Sequence, residues 1–90
     1  MANGVAYITI QQFCAFHQCE TVIIEEFIDY GIIEAREHGG IRTIREPDVP
    51  RIERALRLYH DLGVNAAGID IILNLLERLE GERFTAVEDV

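Results

Sequence analysis

The strongest constraint on the fold is a pair of short helix signals separated by only a few residues. Thr9-Ile10-Gln11-Gln12 is a capping box, in which Thr9 caps the start of a helix and Gln12 reaches back to it. This motif predicts a short helix over about residues 10–17. Apolar residues then recur at three- and four-residue spacing, which predicts a second helix over about residues 21–30. Two short helices joined so tightly indicate a helix-turn-helix.

A small β-hairpin is predicted after the second helix. Gly31 directly follows Tyr30 and suits the left-handed conformation that ends many helices. The chain then turns at Gly39-Gly40, a pair that permits the positive φ angles of a tight hairpin. We therefore predict a two-stranded wing that ends near Arg45. Such a ribbon is barely stable alone, so it must pack on a helix.

Two further helices complete the predicted domain. Glu46-Pro47-Asp48-Val49-Pro50 begins the third helix, because proline is tolerated in a first turn, and Leu62-Gly63 ends it. Asn65 is a good N-cap for a fourth helix over about residues 66–80, with an apolar stripe from Ile69 to Leu79 and a stop at Gly81. The predicted fold is mainly α, with four helices and a small β-hairpin wing. We expect one domain over residues 1–81 and a mobile C-terminal tail over residues 82–90.

Composition limits the classes of partner. The chain has sixteen acidic and eight basic residues, for a net charge of −8, and every basic residue is arginine. Proteins that bind duplex DNA normally carry a basic face, so this balance argues against DNA. The N-terminus has no targeting pattern, and no run reaches the roughly 18 apolar residues of a membrane span. We expect a cytoplasmic protein that does not associate with membranes.

Three phrases of the sequence resemble MerR-type regulators. They are Tyr7-Ile8-Thr9-Ile10 before the first helix, Tyr30-Gly31-Ile32-Ile33-Glu34 after the second, and Leu62-Gly63-Val64-Asn65 before the last. Within that superfamily the chain is more similar to the CbpM-type chaperone-modulator family. The similarity includes Phe13-Cys14, the segment 31–37, the segment 54–58 with His60, and Gly68-Ile69.

The resemblance extends from about Tyr7 to Leu79 and carries expectations of fold and function. It implies a MerR-like winged helix-turn-helix. It also implies a non-enzymatic protein-binding modulator that binds and inhibits the J-domain of a DnaJ-like co-chaperone. J-domains as a family carry a basic helix that contacts their Hsp70, so an acidic modulator would compete with that contact.

The second helix is acidic where a DNA-reading helix is basic. MerR-type DNA binders typically place an arginine followed by aromatics here, and alignment on Gly31 puts Glu25 and Glu26 at that position. No Lys or Arg occurs from Met1 to Ala35, and a carboxylate facing a phosphate is repulsive. We predict an acidic partner-binding face; ordinary solvated charges are the open alternative. The predicted face comprises Glu25, Glu26, Asp29, Asp70 and Glu77.

The alternative function is a MerR-like DNA-binding transcriptional regulator or an excisionase-like factor. It depends on Arg42 and Arg45 of the wing, where Arg42 occupies the place of an arginine that MerR-type proteins use against the DNA backbone. The competing explanation is that the arginines of this stretch pair with interleaved acids, because the two charges nearly balance there. The interleaved acids are Glu37, Glu46, Asp48 and Glu53.

The sequence offers little chemistry for catalysis. Cys14, His17 and Cys19 form a cluster, but a structural zinc site needs four ligands, usually in two separated pairs. We expect reduced thiols, with a Cys14–Cys19 disulfide as the alternative. The chain contains no serine, and we predict no catalytic residues, no metal and no cofactor.

Apolar residues must anchor any protein interface, and the sequence leaves their identity open. The candidates are Tyr30, Tyr59, Ile71 and Leu75. The broad stripe of the fourth helix is also compatible with either a monomer or a weak homodimer.

Overall fold

A computed structural model describes residues 5–89 of the backbone and the side chains through Gly81. The elements along the chain are β1 (Tyr7–Thr9), α1 (Ile10–His17), α2 (Thr21–Asp29), β2 (Arg36–His38), β3 (Ile41–Arg45), a 3-10 turn (Glu46–Asp48), α3 (Val49–Leu62) and α4 (Ala66–Asp89). The prediction of a mainly α winged helix-turn-helix is confirmed, and the bounds of α1 are as predicted.

Local capping fixes the ends of the first two helices. At the start of α1, the Gln12 N–H donates to Thr9 Oγ1 at 2.9 Å and the Thr9 N–H donates to Gln12 Oε1 at 3.0 Å. At the end of α2, Gly31 has φ +75° and its N–H donates to the Ile28 carbonyl. The Ile32 N–H donates to the Phe27 carbonyl at 2.9 Å, which completes a Schellman motif. Both predicted signals are confirmed.

The wing is one strand larger than predicted. Gly39 and Gly40 both have positive φ and connect β2 to β3 as a hairpin. β1 adds a third strand on the other side of β3, with Tyr7 opposite Arg45 in an antiparallel register. No local pattern predicted β1, because it is three residues long and because its partner strand lies far along the chain.

The fourth helix is longer than predicted. Asn65 caps it as expected, since the Gly68 N–H donates to Asn65 Oδ1 at 2.9 Å. The predicted stop at Gly81 is wrong, because α4 continues to Asp89. Leu79 is exposed rather than part of the core, because the packed part of α4 ends near Leu73. Mobility of residues 82–90 remains a prediction; the side chains of residues 82–89, and the whole of Val90, lie outside the described part of the chain.

A single core lies between α1, α2, β3, α3 and the first turns of α4. Apolar side chains from all five elements and from the loop after α2 pack together and are almost completely buried. The largest of these buried side chains are Phe13, Ile24, Phe27, Ile32, Ile44, Ile52, Ile69 and Leu73. The core holds α2 with one side inward and leaves its opposite side facing solvent.

Candidate protein-binding surface

The outward side of α2 combines acidic and apolar residues. Packing of Ile24 and Phe27 into the core fixes the rotation of the helix. Among the exposed residues of α2 and its C-cap, we call the following four the outer face of α2: Val22, Glu26, Asp29 and the C-cap residue Tyr30. Val22 is 65% exposed and Tyr30 is 49% exposed, so both are available to a partner. Tyr30 was a candidate from sequence, whereas Val22 was not.

Two carboxylates of this face form no ion pair with any described side chain. Within the described side chains, neither Glu26 nor Asp29 has a cationic partner. Their charges face water, which is the arrangement that attracts a basic partner over a distance.

Glu25 does not share this arrangement, because it forms an ion pair with Arg42 of β3. The Arg42 Nη1 donates to Glu25 Oε1, and both side chains are about two-fifths exposed. This contact joins α2 to the wing across seventeen residues of sequence. Glu25 therefore neutralises the wing arginine instead of adding to the exposed acidic charge.

The other two predicted acidic residues lie on α4 and not on α2. Asp70 is half-buried and accepts a hydrogen bond from Asn74 Nδ2 at 3.3 Å. Glu77 pairs with Arg51 of α3, whose Nε donates to the Ile32 carbonyl at 2.7 Å. The structure therefore distributes the five predicted acids over two helices and leaves two of them paired with arginine.

The arginines of the wing and of α3 mostly have acidic neighbours, but rarely the predicted ones. Arg45 Nε lies 3.6 Å from Asp48 Oδ2, as the interleaved charges suggested, and this buried nitrogen has no hydrogen-bond partner among the described residues. Arg42 pairs instead with Glu25. Glu53 Oε2 lies 3.7 Å from His17 Nε2. The remaining pairs are Arg36–Glu34 and Arg54–Glu80.

The apolar candidates divide into exposed and packed groups. Tyr59 is half-buried and its ring meets Phe27 edge-on at 6.2 Å, so it belongs to the core. Ile71 and Leu75 are exposed on α4. Phe16, which the sequence analysis did not select, is 83% exposed beside an apolar groove of about 510 Å³ on α1.

The cysteine and histidine cluster provides thiols but not a metal centre. Both cysteines are free thiols, with Cys14 buried and Cys19 half-buried. Burial raises the pKa of the Cys14 thiol from its ordinary 9.0 to about 12, and a hydrogen bond with Cys19 acts in the same direction. Among the side chains that the structure describes, no group of three or more His, Cys, Asp or Glu is placed to hold a metal ion.

Comparison with known proteins identifies the family. Residues 8–82 match the family described as MerR HTH family regulatory protein. The chain belongs to the MerR family. Its curated relatives include the chaperone modulatory proteins CbpM of Escherichia coli O139:H28, Escherichia coli K12 (strain DH10B) and Shigella boydii serotype 18. Each is 28% identical to this MerR-family chain over 78 residues, which is 86% of this chain and 77% of the relative. The resemblance to CbpM-type, MerR-like proteins is therefore confirmed.

These names describe a regulator and a chaperone modulator, and neither is the name of an enzyme. No helix in the described part of this MerR-family chain is both long and apolar enough to cross a membrane.

Proposed function

We propose that this chain is a non-enzymatic modulator that binds the J-domain of a DnaJ-like co-chaperone through the outer face of α2 and inhibits it. The observation that carries the proposal is the composition of that face. Glu26 and Asp29, which pair with no described cation, supply negative charge, and Val22 and Tyr30 supply exposed apolar surface beside it. The similarity to chaperone modulatory proteins supports a chaperone component as the partner.

The mixed chemistry of the face suits a basic amphipathic helix. Carboxylates attract such a helix and set its register, whereas most of the binding free energy comes from apolar anchors that lose water at the centre of the contact. Tyrosine is a frequent anchor because its ring buries a large area while its hydroxyl keeps a polar partner. A J-domain helix that is covered in this way is no longer accessible to its Hsp70, and this occlusion is the proposed mechanism of inhibition.

Calorimetric titration with the J-domain of the DnaJ-like protein from the same genome tests the binding step. We expect binding at micromolar concentrations or below, a dissociation constant that rises with salt, and a loss of about fivefold or more in Glu26→Lys and Asp29→Lys. Asp61→Lys is the matched control, because it changes the charge equally at an exposed position on α3. Absence of heat, or equal weakening by all three variants, contradicts the proposal.

A competition measurement tests the inhibition step separately. The J-domain is bound to its Hsp70 partner, and the chain is added in increasing amounts. We expect the chain to displace the Hsp70 from the J-domain. Glu26→Lys and Asp29→Lys should displace it less effectively than the wild type and Asp61→Lys. Formation of a ternary complex without displacement would show binding without the proposed occlusion.

DNA binding is the second candidate function, favoured by the regulatory family and by the position of Arg42 and Arg45 on β3. Both arginines already have carboxylate neighbours, which lowers the charge available to phosphate. A gel shift that is lost in Arg42→Ala would support this candidate over the first one.

We further propose that the protein acts in the cytoplasm as a monomer or weak homodimer. Ile71, Leu75 and Leu79 are each exposed by half or more, and they recur every four residues on α4. Sedimentation velocity over a range of concentrations distinguishes the two states. Loss of any dimer in Leu75→Glu would assign the interface to this stripe.

A further inference from the structure

The turn between α1 and α2 brings the two cysteines together. Cys14 lies in the second half of α1, and Cys19 lies two residues beyond its end. Gln18 between them adopts a left-handed conformation with φ 55°, and the Cys19 N–H donates to the Cys14 carbonyl at 3.1 Å. A hydrogen bond between residues five apart folds the chain back on itself, so the two Cα atoms approach closely.

Both side chains also pack against the same core. Cys14 is only 5% exposed within the core, and Cys19 packs against the same core while remaining partly accessible. Cys19 is also near enough to raise the pKa of the Cys14 thiol. A disulfide requires the two Cα atoms to lie close together, and the backbone hydrogen bond across this turn brings the two positions together.

We infer that Cys14 and Cys19 are a reversible thiol–disulfide pair, a site at which a hydroperoxide oxidises the helix-turn-helix. The inference does not depend on the proposed binding function. A buried cysteine usually serves only to pack the core, and the inferred reaction gives this pair a chemical role as well.

The chemistry balances with one hydroperoxide for each disulfide. Cys19, the more accessible thiol, attacks the peroxide oxygen, which yields a sulfenic acid on Cys19 and releases an alcohol or water. The Cys14 sulfur then attacks the Cys19 sulfur and forms the S–S bond, and the hydroxyl leaves as water with the Cys14 proton. A dithiol reductant reverses the process by thiol–disulfide exchange.

The bond would close a six-residue ring across the turn. Because α2 begins at Thr21, two residues after Cys19, the ring would fix the turn that leads into α2. A cross-link in the native geometry removes freedom from the unfolded chain, although a short ring removes less than a long one. We expect the melting temperature of the oxidised protein to exceed that of the reduced protein by about 5–10 °C.

Intact-protein and peptide mass spectrometry after treatment with hydrogen peroxide tests the inference. No Lys or Arg occurs before Arg36, so trypsin leaves both cysteines on one peptide. We expect that peptide to lose two hydrogens, to resist alkylation, and to regain both thiols with dithiothreitol. The protein should remain free of disulfide-linked dimers.

Cys19→Ser is the main control, because it removes the accessible thiol and leaves the buried one in the core. After oxidation, the cysteine-containing peptide of this variant should not lose two hydrogens, and the melting temperature of the variant should not rise. Cys14→Ala tests the other partner, and there Cys19 should accumulate as a sulfenic acid or as an intermolecular disulfide. Independent oxidation of the two thiols in the wild type, or an oxidised protein that melts no higher than the reduced one, would overturn the inference.

Discussion

At the scale of single residues, the ion pair between Glu25 and Arg42 has two separate consequences. It is about two-fifths exposed on each side, so solvent and salt screen it and its contribution to stability is small, about 0.5 kcal/mol. We expect its effect on recognition to be larger, because the carboxylate occupies the guanidinium that a phosphate would otherwise contact. On this expectation Glu25 contributes little to folding and more to the choice of partner.

Replacing Glu25 with alanine should expose this arginine to polyanions. We expect Glu25→Ala to bind a short duplex DNA about threefold more tightly than Glu26→Ala at low salt, measured by fluorescence anisotropy. Glu26→Ala is the matched control, since it removes the same charge from the same helix without freeing an arginine. Equal affinities in the two variants would mean that Arg42 is not masked by Glu25.

The sequence located the acidic residues of α2 but not their partners. Glu26 and Asp29 could be placed on the solvent side because helical periodicity is local. The pairing of Glu25 with Arg42 depends on how the wing packs against α2, and no local pattern encodes that. For the same reason the pairing of Glu77 with Arg51 was not foreseen, and Glu77 was assigned to the partner-binding face.

At the scale of elements, helix ends were predictable where a cap requires a particular residue. Gly31 ends α2 because its φ of +75° is unfavourable for any residue with a Cβ atom. Gly81 provided the same sequence signal, yet α4 continues through it. Glycine alone does not stop a helix; the following residues must also form the capping hydrogen bonds.

Replacing glycine with alanine should therefore change the free energy of unfolding in opposite directions at Gly31 and Gly81. We expect Gly31→Ala to lower the free energy of unfolding by about 1–2 kcal/mol, through strain alone, because no atom lies within 4 Å of the added Cβ. Gly81→Ala should raise it by about 0.5–1 kcal/mol, because alanine favours a helix interior. Urea denaturation followed by circular dichroism measures both. A destabilising Gly81→Ala would place the end of α4 at Gly81 after all.

At the scale of the whole molecule, stability depends on one small core shared by five elements. Phe27 is fully buried and joins α2 to Tyr59 of α3. Tyr30, the C-cap residue of α2, is half-exposed and belongs to the proposed contact surface. The two aromatic residues therefore separate the requirements of folding from those of binding.

Replacing each of the two aromatic residues, Phe27 and Tyr30, with alanine should separate their effects on stability and on binding. We expect Phe27→Ala to lower the free energy of unfolding by about 3–5 kcal/mol, a large part of the 5–15 kcal/mol typical of a domain. Tyr30→Ala should lower it by less than about 1 kcal/mol but weaken binding to the J-domain. Thermal melts and calorimetry on the same samples measure the two effects. A Tyr30→Ala variant that binds normally would remove Tyr30 from the proposed interface.

The third strand of the wing also affects the order in which the chain can fold during synthesis. This strand is β1, in which Tyr7 pairs with Arg45 of β3. β1 is synthesised before β3, so it has no partner until the chain has been made as far as β3. The helix-turn-helix lies wholly between these two strands and is free to form earlier through its own caps. The β1–β3 pairing can therefore form only after the segment that contains both α1 and α2 has been synthesised.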